Sequence, residues 1–158
     1  MVDGLFCQEG QQQNLSMKHM ERGVKEKIIR VPLFTPRWYQ LPVLEALDGG
    51  CKRVIALFGR RNGKDITALK YTFKEMATTP GVYFYVFSTF AQGRKVIWSS
   101  VTIEGKPFLD YFPRELVKSK QSQEMRIELT NGSIFQVVGS DNYNALMGTN
   151  PRGVVLSE

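Results

Sequence analysis

One short loop constrains this chain more than any other feature. An apolar run, Arg53 to Phe58 (RVIALF), leads into Gly59-Arg60-Arg61-Asn62-Gly63-Lys64-Asp65, and a helical repeat begins at once. The run is short and lacks polar alternation, which fits a strand buried on both faces. Beyond Gly63, Ile66, Leu69, Phe73 and Met76 recur at spacings of three and four, which is one face of a helix. A strand, a glycine-bounded turn and a helix start together make an anion site. The glycines let backbone N–H groups turn inward, and the helix start adds further N–H groups and a positive dipole end. Lys64 adds a charge able to reach the β- and γ-phosphates of a nucleotide. The usual phosphate loop has four residues between its glycines and a Ser or Thr after its lysine. Here there are three, Arg60, Arg61 and Asn62, and Asp65 holds the hydroxyl position. The competing reading is a glycine turn beside a basic surface.

The remaining chain reads as an α/β sheet. Residues 1–27 are polar, with three consecutive glutamines, and are expected to form an arm. Ile28 to Val31 has strand character and stops at Pro32. A helix is expected after Thr35-Pro36-Arg37; because Pro42 is tolerated only in a first turn, it either starts near Tyr39 or is kinked, and Asp48-Gly49-Gly50 should end it. Thr79-Pro80-Gly81 closes the helix after Lys64. Val82 to Phe87 (VYFYVF) is aromatic and β-branched, and so a strand. A helix with Ile97, Trp98 and Val101 on one side should follow, then an irregular stretch over 105–122. Met125, Ile127 and Leu129 alternate with polar residues, Asn131-Gly132 marks a tight turn, and Ile134 to Val138 returns as a hairpin. A loop rich in glycine and asparagine, with Asn142, Asn144 and Asn150, precedes a last strand, Val154 to Leu156, that ends in Ser157-Glu158. Ordinary turn chemistry accounts for that loop, with ligand or subunit contact as the alternative. No internal repeat is present.

Composition narrows the chemistry. Hydrophobic residues make up 42% and charged residues 23% of the 158, which is globular rather than disordered. The formal net charge of +6 favours nucleic acid, nucleotide phosphates or another anionic partner. Six basic residues (Lys52, Arg53, Arg60, Arg61, Lys64 and Lys70) stand against Asp65 alone over 52–70, so DNA backbone or a solvated basic face are both open. No run of about 18 apolar residues occurs, so no helical membrane span is expected. The N-terminus lacks the basic-then-apolar order of a secretory signal. Cys7 and Cys51 have no metal-ligand spacing and His19 is the only histidine, which argues against histidine-centred metal or triad chemistry.

In combination these segments resemble the ATPase domain of the tailed-phage large terminase subunit, the motor that packages viral DNA. Phe34-Thr35-Pro36-Arg37-Trp38-Tyr39-Gln40 is similar to the family's adenine-binding motif, and Gly59 to Asp65 to its arginine-rich Walker A variant. Ser88-Thr89-Phe90-Ala91-Gln92 through Trp98 resembles the segment after the next strand. The hairpin over Ile127 to Ser133, with Gly139 to Asn142 and Gly148-Thr149-Asn150-Pro151, resembles the stretch before Walker B, and Leu156-Ser157-Glu158 resembles Walker B itself. The likeness covers residues 28–158.

The resemblance implies an ASCE-type (RecA-like) P-loop NTPase with a mainly parallel sheet plus a β-hairpin. ATP and Mg²⁺ would be its cofactors. Gly59, Asn62, Gly63, Lys64, Asp65 and Ile66 would surround the phosphates, while Gln40 and Arg37 would recognise adenine. Trp38 and Tyr39 either stack on the base or pack the core. Glu158 would orient the attacking water. Arg60 or Arg61 would stabilise transition-state charge, or else form salt bridges or face DNA. Partners would be double-stranded DNA, a terminase small subunit, a portal protein and further copies in a ring. The place of work would be the cytoplasm of an infected bacterium.

Two departures from the family stand out. Asp65 replaces the usual hydroxyl, and Ser157 replaces the usual Walker B carboxylate. A reciprocal exchange would keep one hydroxyl and one carboxylate for Mg²⁺, each on the other wall of the site. The rival reading is decay of the metal site. The family also continues past Walker B into further strands and a nuclease domain. The expectation is therefore an incomplete ATPase domain with an exposed sheet edge, no nuclease chemistry and weak turnover in isolation. A helicase-like DNA-dependent ATPase and a non-hydrolysing binding remnant are the alternatives.

Overall fold

A computed structural model describes residues 35–102, 105–141, 146 and 148–157. The arm over 1–27, the strand expected at 28–31, Asn142, Asn144 and Glu158 lie outside the described residues. Two helices come first, α1 (Leu41–Asp48) and α2 (Lys64–Thr78). Pro42 falls in the first turn of α1, where its missing N–H costs nothing, and Gly49 caps the other end. Strand β1 (Val82–Phe87) is followed by a short helix α3 (Phe90–Gly93), whose first turn is capped by the Thr89 hydroxyl. A π-helical turn, Arg94–Trp98, continues it. Then come β2 (Val117–Gln121), β3 (Arg126–Leu129), β4 (Ile134–Gly139) and β5 (Gly153–Leu156).

The five strands form one mixed sheet in the order β2-β3-β4-β1-β5. β1 runs parallel to both β4 and β5, while β2, β3 and β4 are antiparallel neighbours. Parallel and antiparallel pairings are thus equal in number, where a mainly parallel sheet plus a β-hairpin was expected; the β3–β4 hairpin is present, and β2 adds the second antiparallel pairing. The Asn131-Gly132 turn closes the β3–β4 hairpin as its sequence indicates, with Gly132 at φ +87°.

The two faces of the sheet differ. Tyr83, Tyr85 and Phe87 on β1 share a core with Phe135 and Val137 on β4, Ile127 and Leu129 on β3, and Leu69, Phe73 and Met76 from α2. Ile97 from the π turn, Leu109, Phe112 and Met125 complete it. Each such side chain contributes about 1.5–3 kcal/mol on burial. Close approach here needs Gly93, where a Cβ would stand 2.6 Å from a Val137 methyl carbon. The opposite face carries a smaller cluster of Phe84, Val86 and Val138, with Val82 and Leu146 against it.

Three sequence expectations need correction. The run over 53–58 is not a strand: it pairs with nothing in the sheet, and Ile55 and Leu57 are 89% and 94% exposed. Its apolar character is real, but among the described residues no strand pairs with it to satisfy its N–H and C=O groups. The helix expected to include Val101 ends at Trp98, and Val101 makes an isolated bridge to Pro107 instead. The stretch over 105–122 contains two 3-10 turns, Phe108–Tyr111 and Arg114–Leu116, and strand β2. That strand is polar (VKSKQ), so no apolar alternation announced it.

Candidate functional site

The Gly59–Lys64 loop leads directly into α2. Gly63 sits at φ +75°, and an added Cβ there would stand 3.0 Å from Gln40 Nε2, so a glycine is required twice over. The first intrahelical bond runs from Thr67 N–H to Gly63 O at 3.0 Å. The amides of Asp65 and Ile66 therefore precede the helical ladder, at the positive end of the helix dipole. Gly59, Arg60, Arg61, Asn62 and Lys64 are exposed, and Asp65 and Ile66 are half-buried.

Residues 37–40 pack against this loop. Gln40 is 1% exposed and both ends of its amide are engaged. Its Oε1 accepts the Arg37 N–H at 2.9 Å, and its Nε2 donates to Asn62 O at 3.0 Å. The Tyr39 hydroxyl also reaches Asn62 O, at 3.4 Å, and accepts from the Arg37 guanidinium at 2.7 Å. The Tyr39 ring meets Phe58 edge-on. Gln40 thus braces the loop in this arrangement, while the nearby aromatic surface is offered by Trp38, which is 81% exposed and outside the core.

The second wall comes from the sheet. The β5–β1 ladder extends one step past Leu156, with Ser157 N–H bonded to Val86 O at 2.9 Å. Side chains alternate along a strand, so Ser157 points to the same face as Val155 and lies on the α2 side. There its hydroxyl donates to Asp65 Oδ1 at 2.8 Å. Tyr85, on the same face of β1, donates its hydroxyl to the same oxygen at 3.0 Å. Burial first, and the Asp65 carboxylate second, push the Tyr85 phenol well above its ordinary pKa, so it stays protonated and a donor. Three side chains from α2, β1 and β5 therefore meet at one carboxylate oxygen.

Among the described residues no three His, Cys, Asp or Glu side chains cluster as a metal site. A Mg²⁺ held by one carboxylate, one hydroxyl and phosphate oxygens needs no such cluster, because this ion commonly keeps waters and substrate oxygens as ligands. The Asp65 and Ser157 oxygens fit that chemistry. Tyr85 is the functional candidate that sequence reasoning missed. Its signal was faint: a hydroxyl-bearing aromatic at an inward position of a strand beside the loop. The basic cluster over 52–70 is only partly one surface. Lys52, Arg53, Arg60, Arg61 and Lys64 are exposed, whereas Lys70 lies over the Tyr111 ring at 4.0 Å. No helix among the described residues is long and apolar enough to cross a membrane. Comparison with protein-family models, with curated proteins and with solved structures returns no match.

Proposed function

We propose that this chain binds ATP at the Gly59–Lys64 loop and belongs to an ATPase motor that packages double-stranded DNA, of the type found in tailed-phage terminases. The observation that carries the reading is the Ser157–Asp65 hydrogen bond, which joins residues 92 positions apart. It brings the residue after the loop lysine to the carboxyl end of a parallel strand, where nucleotide sites of α/β sheets form. In the family pattern a hydroxyl and a carboxylate face each other at this point. Here the same two groups face each other with their walls exchanged.

The residues divide the work by chemistry. Lys64 and the first amides of α2 bind the terminal phosphates. Asp65 and Ser157 would hold Mg²⁺, which would supply neutralising positive charge to the phosphate tail. Arg60 and Arg61 supply positive charge from the loop itself. Gln40 and Arg37 set the loop and the adenine side, with Trp38 as a surface for the base. Glu158 is the residue assigned to orient water, and it is adjacent to Ser157 in sequence. DNA, a small subunit, a portal and further copies of the chain are the partners of that motor.

A second reading is a nucleotide-binding domain without turnover. It is favoured by one observation: residues 53–58, which lead into the loop, are unpaired, and their Ile55 and Leu57 side chains are exposed. Calorimetric titration of ATP with Mg²⁺ tests the common core of both. Lys64→Ala should weaken binding by about tenfold or more, as expected for loss of a charge-assisted contact. Binding indifferent to that substitution would remove the loop from the site. Measurable steady-state phosphate release would then separate the motor from the non-hydrolysing domain.

A further inference from the structure

Asp65 is an unusual residue to find at the mouth of a phosphate site. It stands in the first turn of α2, where a carboxylate favours the helix dipole but repels any phosphate approaching the same N–H groups. It is also not free to turn away. Tyr85 is 1% exposed, its ring stacks on Phe87 at 5.2 Å and meets Phe135 at 6.4 Å, and its hydroxyl is thereby a fixed post beneath the helix start. Ser157, fixed by the β5–β1 ladder, holds the same Oδ1 from the second strand. Both bonds fall on Oδ1, and Oδ2 receives neither.

We propose that Tyr85 is a positioning residue which, with Ser157, locks the Asp65 carboxylate at the mouth of the loop, so that a nucleoside triphosphate is captured only together with a divalent cation. The inference rests on the phosphate-loop reading and adds a requirement to it. In a loop with a hydroxyl at this position, metal-free nucleotide meets no negative charge. In this chain the phosphate tail and Asp65 are two anions at one helix end, and a cation between them converts repulsion into shared coordination. Tyr85 matters because an untethered Asp65 would swing toward solvent and leave the loop open to metal-free ligand.

Calorimetry on the full chain, with ATP in excess Mg²⁺ and in excess EDTA, tests this. The wild type should bind about 30-fold or more weakly in EDTA, and Asp65→Asn should shrink that gap to about threefold, mainly by gaining metal-free affinity. Tyr85→Phe should raise the half-saturating Mg²⁺ concentration about tenfold while changing metal-saturated affinity less than about threefold. Ser157→Ala should move the same quantity in the same direction, and decides the matter if Tyr85→Phe does not fold. Wild-type binding that is equal in Mg²⁺ and EDTA, yet lost with Lys64→Ala, overturns this inference and leaves the phosphate loop standing. No ATP binding under either condition overturns both. A Tyr85→Phe protein that melts earlier but keeps the wild-type Mg²⁺ dependence makes Tyr85 a structural clip only.

Discussion

Two apolar runs of six residues flank the candidate site, and they have opposite fates. Val82–Phe87 is the central strand of the sheet, paired on both sides, with every residue after Val82 buried. Residues 53–58 pair with no strand, and their Ile55 and Leu57 side chains lie almost wholly in solvent. By composition both runs read as buried strands. Apolar content makes a segment ready to be a strand, but a strand exists only where a neighbour satisfies its N–H and C=O groups. β1 finds β4 and β5 through long-range parallel pairing, information that no window of sequence contains. Among the described residues β5 has no strand on its outer side, and its Val154 and Leu156 are likewise exposed.

The largest test of this contrast is a matched pair of truncations. Phe87→Ala removes a ring that is 1% exposed and should cost about 3–5 kcal/mol, read from urea unfolding. Leu57→Ala removes a side chain that is 94% exposed and should change stability by no more than about 0.5 kcal/mol. A large penalty for Leu57→Ala would mean that residues 53–58 are buried in solution, and the comparison would fail.

The parts legible in the sequence were those fixed by local chemistry. Pro42 placed the start of α1, Asn131-Gly132 placed the hairpin, and the three-and-four spacing of Leu69, Phe73 and Met76 named the buried face of α2. The Asp65–Ser157 pairing was foreseeable because a family-like pattern supplied the distant partner. Other features needed the tertiary structure. β2 is polar and half-exposed, so its place at the sheet edge left no hydrophobic trace. Tyr85 looked like one more core aromatic until its hydroxyl was found on Asp65. Gln40 looked like a base-recognition residue, and its burial against Asn62 gives it a bracing contact that its motif alone does not reveal.

A second, intermediate effect sharpens the contrast at the far end of α2. Ser133 is fully buried in the hairpin turn, and its hydroxyl donates to Met76 O at 2.7 Å. The Asn131 side chain donates to the same carbonyl, also at 2.7 Å. The well-paired half of the sheet thereby holds the last turn of the helix whose first turn carries the candidate site. Ser133→Ala should cost about 1–2 kcal/mol in urea unfolding, since one of two donors to a buried carbonyl is lost. An unchanged midpoint would show that Asn131 alone secures the helix end.

The smallest effect lies in the loop, and its sign carries the information. Arg61 has φ +62°, a left-handed conformation that costs a side-chain-bearing residue about 1 kcal/mol, whereas Arg60 is not in that region. Arg61→Gly relieves this strain and should leave stability unchanged or raise it by up to about 1 kcal/mol, partly offset by the greater freedom of glycine in the unfolded chain. Arg60→Gly has no strain to relieve and should lower stability by about 0.5–1 kcal/mol. Both side chains are exposed, so neither substitution removes packing. Opposite signs in thermal unfolding would show that the loop holds its bent shape against local preference. If Arg61→Gly also weakens ATP binding while stabilising the fold, the arginine is kept for its charge at the expense of backbone comfort. If both substitutions destabilise equally, the Arg61 guanidinium makes contacts worth more than the strain, and the loop is simply another part of the scaffold.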